Sequence, residues 1–145
     1  MKKRLLISRI LFVLYLAFLV WIVIFKMNFS FQDIHSVREV NLIPFYYKDI
    51  SPGDIPLLEA LMNTVVFFPF GFLLTKSLPI TRMTKKAVII VTVSLIFEAL
   101  QYFLSIGASD ITDLITNSMG GIIGALLGEK IQKKSSYKVN WNGIH

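Results

Sequence analysis

Hydrophobic residues fall in four long runs along the chain, separated by shorter stretches that hold most of the charges. The runs cover residues 5–25, 57–78, 87–106 and 111–131. Each is close to the roughly 20 residues that an α-helix needs to cross the hydrocarbon core of a bilayer. The pattern predicts an all-α, polytopic integral membrane protein in which four transmembrane helices form a small bundle.

Composition favours lipid over water as the surrounding solvent. Hydrophobic residues make up 54% of the 145-residue chain, and charged residues only 17%. The charges cluster between the apolar runs, whereas a soluble bundle would distribute them along one face of each helix. The chain has no cysteine, which excludes disulfides, thiolate metal sites and a cysteine nucleophile.

Basic residues are distributed unevenly about the four predicted helices. Twelve of the 15 Lys and Arg residues lie before or near the beginning of the first helix, in or beside the connection between the second and third, or near or after the end of the fourth. In a four-span topology these positions are all on one side of the membrane. Because basic connections are retained in the cytoplasm, we predict that both termini are cytoplasmic. Residues 26–56, which hold the other three, are then an outer loop.

The orientation also accounts for the net charge of +6. Basic residues flank apolar runs and form no basic face with interleaved aromatics, so we expect no nucleic-acid binding.

Residues 1–132 are predicted to form a transmembrane domain, and residues 133–145 a basic cytoplasmic tail. The prolines and aromatics of the outer loop, including residues 41–45, suggest a re-entrant or interfacial lid.

Polar side chains inside the predicted helices are the candidates for function, because a charge in hydrocarbon is costly unless it is paired, protonated or hydrated. Three helices carry such residues on one face each. The residues are Asn63, Glu98, Gln101, Asp110, Asp113 and Asn117. Helix rise places Asn63, Glu98 and Asn117 at a similar depth, about 9 to 12 Å below the outer end. We therefore predict a carboxylate-bearing cavity open to the outer face, with Glu98 at its floor.

Several of these residues also have purely structural interpretations. Asp110 is of a residue type that commonly caps a helix N-terminus, and Asn63 and Asn117 can hold helices together by hydrogen bonds. Glu59, at the start of the second helix, is expected at the membrane interface. Glu98 and Asp113 are harder to explain by structure alone, since deep carboxylates in membrane proteins are functional by default.

Glycines recur every four residues along the fourth helix. Gly120, Gly124 and Gly128 form a small-xxx-small stripe beside Gly121. Such stripes allow another helix to approach closely, so we assign these four glycines to helix packing. The stripe also offers a surface for a homodimer.

Catalytic residues and cofactors are left undefined by the sequence. The two histidines, His35 and His145, lie in the outer loop and at the last residue, so we expect no histidine metal centre. No nucleophile stands beside a base, and there is no phosphate-binding loop or dinucleotide fingerprint.

Four blocks of polar, proline and glycine residues are spaced along the whole chain. They are Asn41-Leu42-Ile43-Pro44-Phe45, Asn63-x3-Phe67-x-Pro69-x-Gly71, Glu98-x2-Gln101 and Asp110-x2-Asp113-x3-Asn117-x2-Gly120. In their order, spacing and place within the predicted helices, these blocks resemble the VanZ-like family. Many family members carry an arginine three residues before the first aspartate, where this chain has Gly107. An acid–arginine pair therefore does not carry over.

The resemblance implies a multi-pass protein in the cell membrane of a Gram-positive bacterium, in a family whose namesake is associated with resistance to teicoplanin. One hypothesis is an envelope protein whose outer cavity binds membrane lipids, a lipid-linked wall precursor, a lipoglycopeptide or a cation. A second is a membrane-embedded enzyme acting on a lipid or glycan headgroup, with Glu98 and Asp113 as acid and base or as ligands of a hard divalent cation. A third is an ion-coupled carrier, which four spans would support only as a dimer.

Overall fold

The computed structural model describes residues 2–26, 40–46, 56–78, 80, 82–104 and 109–141. Four helices account for most of these residues: α1 (Lys2–Lys26), α2 (Pro56–Ser77), α3 (Met83–Leu104) and α4 (Ile111–Trp141). Two short strands, β1 (Val40–Asn41) and β2 (Ser109–Asp110), pair in parallel.

All four helices are long and apolar enough to cross a membrane, which confirms the predicted four-span, all-α architecture. The qualifying segments are Lys3–Ile22, Pro56–Ser77, Met83–Leu104 and Ile111–Lys134. Many large apolar side chains on their outer faces are exposed, as lipid-facing positions must be. The third span begins four residues earlier than the hydrophobic run alone predicts, because Thr84, Lys85 and Lys86 are helical although they are polar.

Side-chain contacts show how the helices run relative to one another. The Ser77 hydroxyl donates to the Ser8 carbonyl, so α1 is antiparallel to α2. Asn63 contacts Asp113 and Thr75 contacts Ala125, so α2 and α4 are parallel. Lys86 pairs with Glu129, so α3 is antiparallel to α4. These contacts place the beginning of α1 and the end of α4 at the same end of the bundle, here called the tail end; the end with β1 and β2 is called the loop end.

Helices α2 and α4 form the centre of the bundle, because their contact is the most extensive between any two helices. Helix α3 packs mainly on α4 and α1 mainly on α2, and α3 also contacts both α1 and α2. Which side of the membrane the tail end faces stays a prediction from the basic residues.

Glycines explain how α2 and α4 come so close. A Cβ atom at Gly71 would collide with the backbone of Gly121, and one at Gly120 or Gly124 would collide with the backbone of α2. Gly128 lies against the side chain of Thr75. The stripe is thus covered by α2 within the same chain, and a homodimer would need another surface.

Aromatic and aliphatic side chains fill the remaining space between the helices. Phe67 meets Phe70 and Phe97 edge to face, and Phe12 of α1 stacks on Phe70. The buried apolar cluster consists of Leu19, Phe67, Phe70, Leu74, Ile90, Phe97 and Ala125. This core holds α1 against α2 and anchors the inner face of α3.

The Tyr15 hydroxyl of α1 donates to the Val66 carbonyl at 2.6 Å. Val66 precedes Pro69, which lies inside α2 and has no N–H to offer the carbonyl of Val65. The bond places a side-chain donor at the stretch of α2 where the helical ladder is interrupted. It therefore fixes α1 on the proline-containing part of α2.

Helix α4 extends beyond the predicted end of the fourth span. Residues 133–141, expected to belong to a basic tail, continue α4 without a break as far as Trp141. Lys133 and Lys134, at the beginning of this extension, are exposed. Of the predicted outer loop, residues 27–39 and 47–55 lie outside the described part of the chain, as do residues 105–108 of the predicted connection before α4.

Candidate functional site

The described part of the outer loop is tied to the beginning of α4. Val40 pairs with Ser109 and Asn41 with Asp110 in a two-residue parallel ladder. Parallel strands require a long connection, and here α2 and α3 supply it. The pairing brings residues 40–46 over the loop end of α3 and α4.

Asn41 organises this segment through all parts of its side-chain amide. Its Nδ2 atom donates to Asp110 Oδ2 at 3.0 Å and to the Tyr46 carbonyl at 2.8 Å. Its Oδ1 atom accepts from the Ile43 amide at 3.1 Å. An aspartate has no donor for the first two bonds, so the position requires an amide.

A tight turn follows, with Pro44 and Phe45 at its centre. The Tyr46 amide donates to the Ile43 carbonyl at 3.3 Å, and Phe45 has a φ of 56°. Proline followed by a positive φ is the pattern of a type II turn, where glycine normally occupies the second central position. The Phe45 amide donates to Thr112 Oγ1 at 2.9 Å, which fastens the turn to α4.

Asp110 caps α4 and receives the loop at the same time. Its Oδ1 atom accepts from the Thr112 amide at 2.7 Å, the geometry of an N-cap residue. Its Oδ2 atom accepts from Asn41. The capping interpretation therefore describes one carboxylate oxygen, and the other oxygen joins the loop to the bundle.

Glu98 lies beneath this junction and is only 5% exposed. Its Oε2 atom accepts from the Asp110 amide at 2.9 Å, and the Ser109 side chain is also within hydrogen-bonding reach. Asp110 and Asp113 are both close enough to repel the charge of the Glu98 carboxylate. Three carboxyl groups from α3 and from the beginning of α4 thus share one small region.

Asp113 is bound from the α2 side. Asn63 Nδ2 donates to Asp113 Oδ1 at 2.6 Å, which links α2 to α4 directly below the loop. At the next residue of α2, the Thr64 hydroxyl lies 3.2 Å from the carbonyl of Thr116, which is one turn beyond Asp113 on α4. These two contacts fix the register of α2 against α4 next to the glycine stripe.

The remaining predicted site residues lie near this group. Asn117 is buried, one turn below Asp113 on α4. Gln101 is one turn above Glu98 on α3, and its Oε1 atom is buried with no hydrogen-bond partner among the described residues. Glu59 is exposed on the first turn of α2, in keeping with an interfacial position.

The site is strongly acidic. The described segments that carry the site residues contain no Lys, Arg or His; they are residues 40–46, 56–66, 94–104 and 109–122. The same segments contain Glu59, Glu98, Asp110 and Asp113. The last residue of α1 at the loop end is Lys26. The arrangement favours a proton, a cationic group or a ligand rich in N–H and O–H donors. Among the described residues, no group of three His, Cys, Asp or Glu side chains is placed to hold a metal ion.

Asn41, Ser109 and Thr112 were not identified as site residues from the sequence. Asn41 belongs to the first of the four blocks that resemble the VanZ-like family, and this membership is the sequence feature that could have identified it. Thr112 accepts a hydrogen bond from the Phe45 amide, and Ser109 pairs with Val40 in the strand ladder. Neither the charge of these residues nor the hydrophobic periodicity predicts a contact with a segment so far away in the sequence. Each of the three joins the loop to the carboxylates.

Four membrane-crossing helices, with one buried and two half-buried carboxylates at one end under a docked loop segment, define a small polytopic membrane protein with a polar site at the loop end. The chain belongs to the VanZ/LLP1 family, whose model matches residues 12–131. It is similar to Protein VanZ of Enterococcus faecium, with 37% identity over 122 residues, which are 83% of this chain and 72% of that protein. No solved structure matches the chain.

Proposed function

We propose that the protein acts in the cell membrane by binding an amphiphile at the loop end and thereby lowers susceptibility to teicoplanin. The ligand class is a lipid-linked wall precursor or a lipoglycopeptide. The observation that carries the proposal is the cluster of Glu98, Asp110 and Asp113 beneath the docked segment of residues 40–46, on described segments that contain no basic residue.

The chemistry of the cluster supports a ligand with a polar, hydrogen-bond-donating headgroup. Carboxyl groups that crowd each other in a low-dielectric region are stabilised when a cation or an N–H donor approaches them. An amphiphile brings such a headgroup to the loop end while its acyl chain stays in the surrounding lipid. A membrane site therefore suits a glycopeptide that carries an acyl chain.

Side chains around the cluster offer apolar surface for the acyl chain. Leu42 is 73% exposed, and Ile43 and Phe45 are each 59% exposed on the docked segment. Their backbone is held by Asn41 and Thr112, so these exposed side chains are presented from a fixed support. Polar and apolar recognition elements thus lie side by side at one end of the bundle.

The predicted orientation places this end at the outer face. Wall precursors are used, and glycopeptides act, outside the cytoplasmic membrane, so an outer-facing site can meet both. Similarity to Protein VanZ supports a role in teicoplanin susceptibility, since the VanZ-like family is associated with teicoplanin resistance.

The test is drug susceptibility of a sensitive Gram-positive host expressing the wild type, Glu98→Gln or Asp113→Asn at matched membrane levels. Glu59→Gln is the matched control, because Glu59 is acidic and exposed at the beginning of α2. We expect the wild type and the control to lower susceptibility to teicoplanin and not to vancomycin, which has no acyl chain. Either cluster variant should remove the effect.

Other outcomes separate the alternatives. No change with the wild type, or equal shifts for both drugs, contradicts the proposal. Turnover of a lipid or glycan headgroup by the purified protein, abolished by Glu98→Gln, would instead support the enzymatic hypothesis.

A further inference from the structure

A column of buried residues runs along one face of α3 from the site towards the tail end. Lys86, Ile90, Ser94 and Glu98 are spaced four residues apart, so they lie on one helical face. Their exposed fractions are 2%, 0%, 0% and 5%. Three of the four are polar or charged, which is unusual for the buried face of a membrane helix.

Three contacts show which residues of α4 lie opposite Glu98, Ile90 and Lys86, that is, at the same height along the bundle. Glu98 accepts from the Asp110 amide, the Ile90 side chain lies against Gly121, and Lys86 Nζ lies 2.8 Å from Glu129 Oε1. Interpolation between the first two contacts places Ser94 at the level of Ile115 and Thr116, and Thr116 is also buried.

The α3–α4 interface is therefore polar at three levels and apolar at one. Carboxyl groups occupy the loop end, Ser94 and Thr116 lie next, and the Lys86–Glu129 ion pair lies at the tail end. Ile90 lies between Ser94 and Lys86 and packs against Gly121, which has no side chain of its own. On the buried row of α3, Ile90 is thus the apolar residue that separates the loop-side polar groups from the ion pair.

Buried polar atoms without partners indicate what occupies the loop-side region. Ser94 Oγ, Gln101 Oε1 and Ser118 Oγ are buried and have no hydrogen-bond partner among the described residues. Ser94 and Gln101 stand on either side of Glu98 along α3. Such atoms in native proteins are normally satisfied by bound water, which also conducts protons between acidic groups.

We propose that the α3–α4 interface is a proton pathway with Ile90 and Gly121 as its seal. Glu98 takes up a proton from the loop end and releases it, through water bound at Ser94, towards the bilayer centre. When the seal opens, the proton passes to the Glu129 carboxylate while Lys86 remains an ammonium. Hydrophobic constrictions in channels close in this way, by excluding water.

Charged and titratable groups around Glu98 fit this role. Asp110 and Asp113 face it from the α4 side, and Asn41 of β1 reaches the same junction. On α2 the ionisable residues are Glu59, which is exposed, and Lys76 at the tail end. Described residues of α1 contribute Tyr15, bonded to Val66, and Arg9, bonded to the Ser77 carbonyl at the tail end. Lys26 ends α1 at the loop end.

The test measures proton flux into liposomes that contain the purified full-length protein and a trapped pH-sensitive dye, driven by a potassium diffusion potential. Ile90→Ala opens the seal, and Ile90→Val opens it less. Leu19→Ala is the matched control, because leucine and isoleucine lose the same atoms and Leu19 is equally buried, but on α1. We expect Ile90→Ala to raise the flux about ten-fold over wild type, since water then enters the constriction.

Glu98→Gln in the Ile90→Ala protein should return the flux to the wild-type level, because glutamine keeps the acceptor for the Asp110 amide but cannot carry the proton. The proposal is overturned if the flux in Ile90→Ala is no greater than in Leu19→Ala, or if adding Glu98→Gln leaves the raised flux unchanged. Should Ile90→Ala fail to elute as the folded protein, Ile90→Val is compared with and without Glu98→Gln in the same way. The outcome is independent of drug susceptibility.

Discussion

At the scale of single residues, Phe45 is held in a conformation that side chains rarely adopt. Its positive φ is sterically costly for a bulky L-residue, and the turn is kept by bonds from Asn41 and Thr112. The ring is nevertheless 59% exposed, so packing within the chain does not account for it. The turn is thus a place where an exposed aromatic ring is fixed at some energetic cost.

Replacing Phe45 separates the cost of the backbone from the role of the ring. Phe45→Gly and Phe45→Ala both remove the ring, but only glycine accepts the positive φ without strain. We expect the docked turn to be more stable in the glycine variant by about 1 kcal/mol, the cost of a left-handed conformation for a residue with a Cβ.

Hydrogen–deuterium exchange of a peptide covering residues 40–46 checks this. That energy difference corresponds to exchange about five-fold slower in Phe45→Gly than in Phe45→Ala. Equal exchange in the two variants would show that the turn does not keep its positive φ in the membrane.

At the scale of helices, the α2–α4 contact depends on glycine at particular positions. A Cβ atom at Gly124 would overlap the backbone of α2, which cannot move aside without displacing the helix. One at Gly128 would only lie close to Thr75 and to the Phe72 carbonyl. The two positions are one turn apart on the same stripe, so they compare a severe overlap with a mild one within one interface.

Gly124→Ala should destabilise the bundle strongly, by about 2 kcal/mol, because overpacking forces the helices apart. Gly128→Ala is the milder matched variant, since a methyl group there lies 3.1 Å from Thr75 Cβ and 3.3 Å from the Phe72 carbonyl, so the neighbouring atoms need to move by only a few tenths of an ångström. Unfolding of both variants by SDS titration, followed by circular dichroism, measures the difference. Equal midpoints would mean that α2 and α4 are further apart than described.

At the scale of the whole molecule, the sequence predicted the four helices well because hydropathy is a local property. It could not predict the β1–β2 pair, since Asn41 and Asp110 are 69 residues apart and no periodicity links them. The extension of α4 past residue 133 was also missed, because a basic composition suits a tail and a solvated helix equally. Neither difference alters the number of membrane crossings.

For the site too, local properties of the sequence were predictive and long-range contacts were not. Asn63, Glu98, Asp110 and Asp113 were selected because charged and amide side chains are costly in hydrocarbon, and the structure places them close together. Asn41 and Thr112 act by bonding the backbone of a turn, which depends on the fold and not on the cost of burial. An open cavity between the carboxylates stays a prediction.

The absence of cysteine from the chain makes the membrane orientation easy to test. Leu42→Cys places a thiol at an exposed position of the loop end, and Lys134→Cys places one at an exposed position of the tail end. A membrane-impermeant maleimide applied to intact cells should label only the first, because basic connections stay inside. The reverse labelling pattern would invert the topology and move the site to the cytoplasmic face.

The bond between Asn41 and Asp110 also constrains how the protein is assembled. Ribosomes make Asn41 first, and its partner emerges only after 69 further residues that include the whole of α2 and α3. The parallel contact between α2 and α4 must wait for the same late segment. Biosynthesis therefore completes the site in its last stage, and a nascent chain that stops before α4 enters the membrane with its loop undocked.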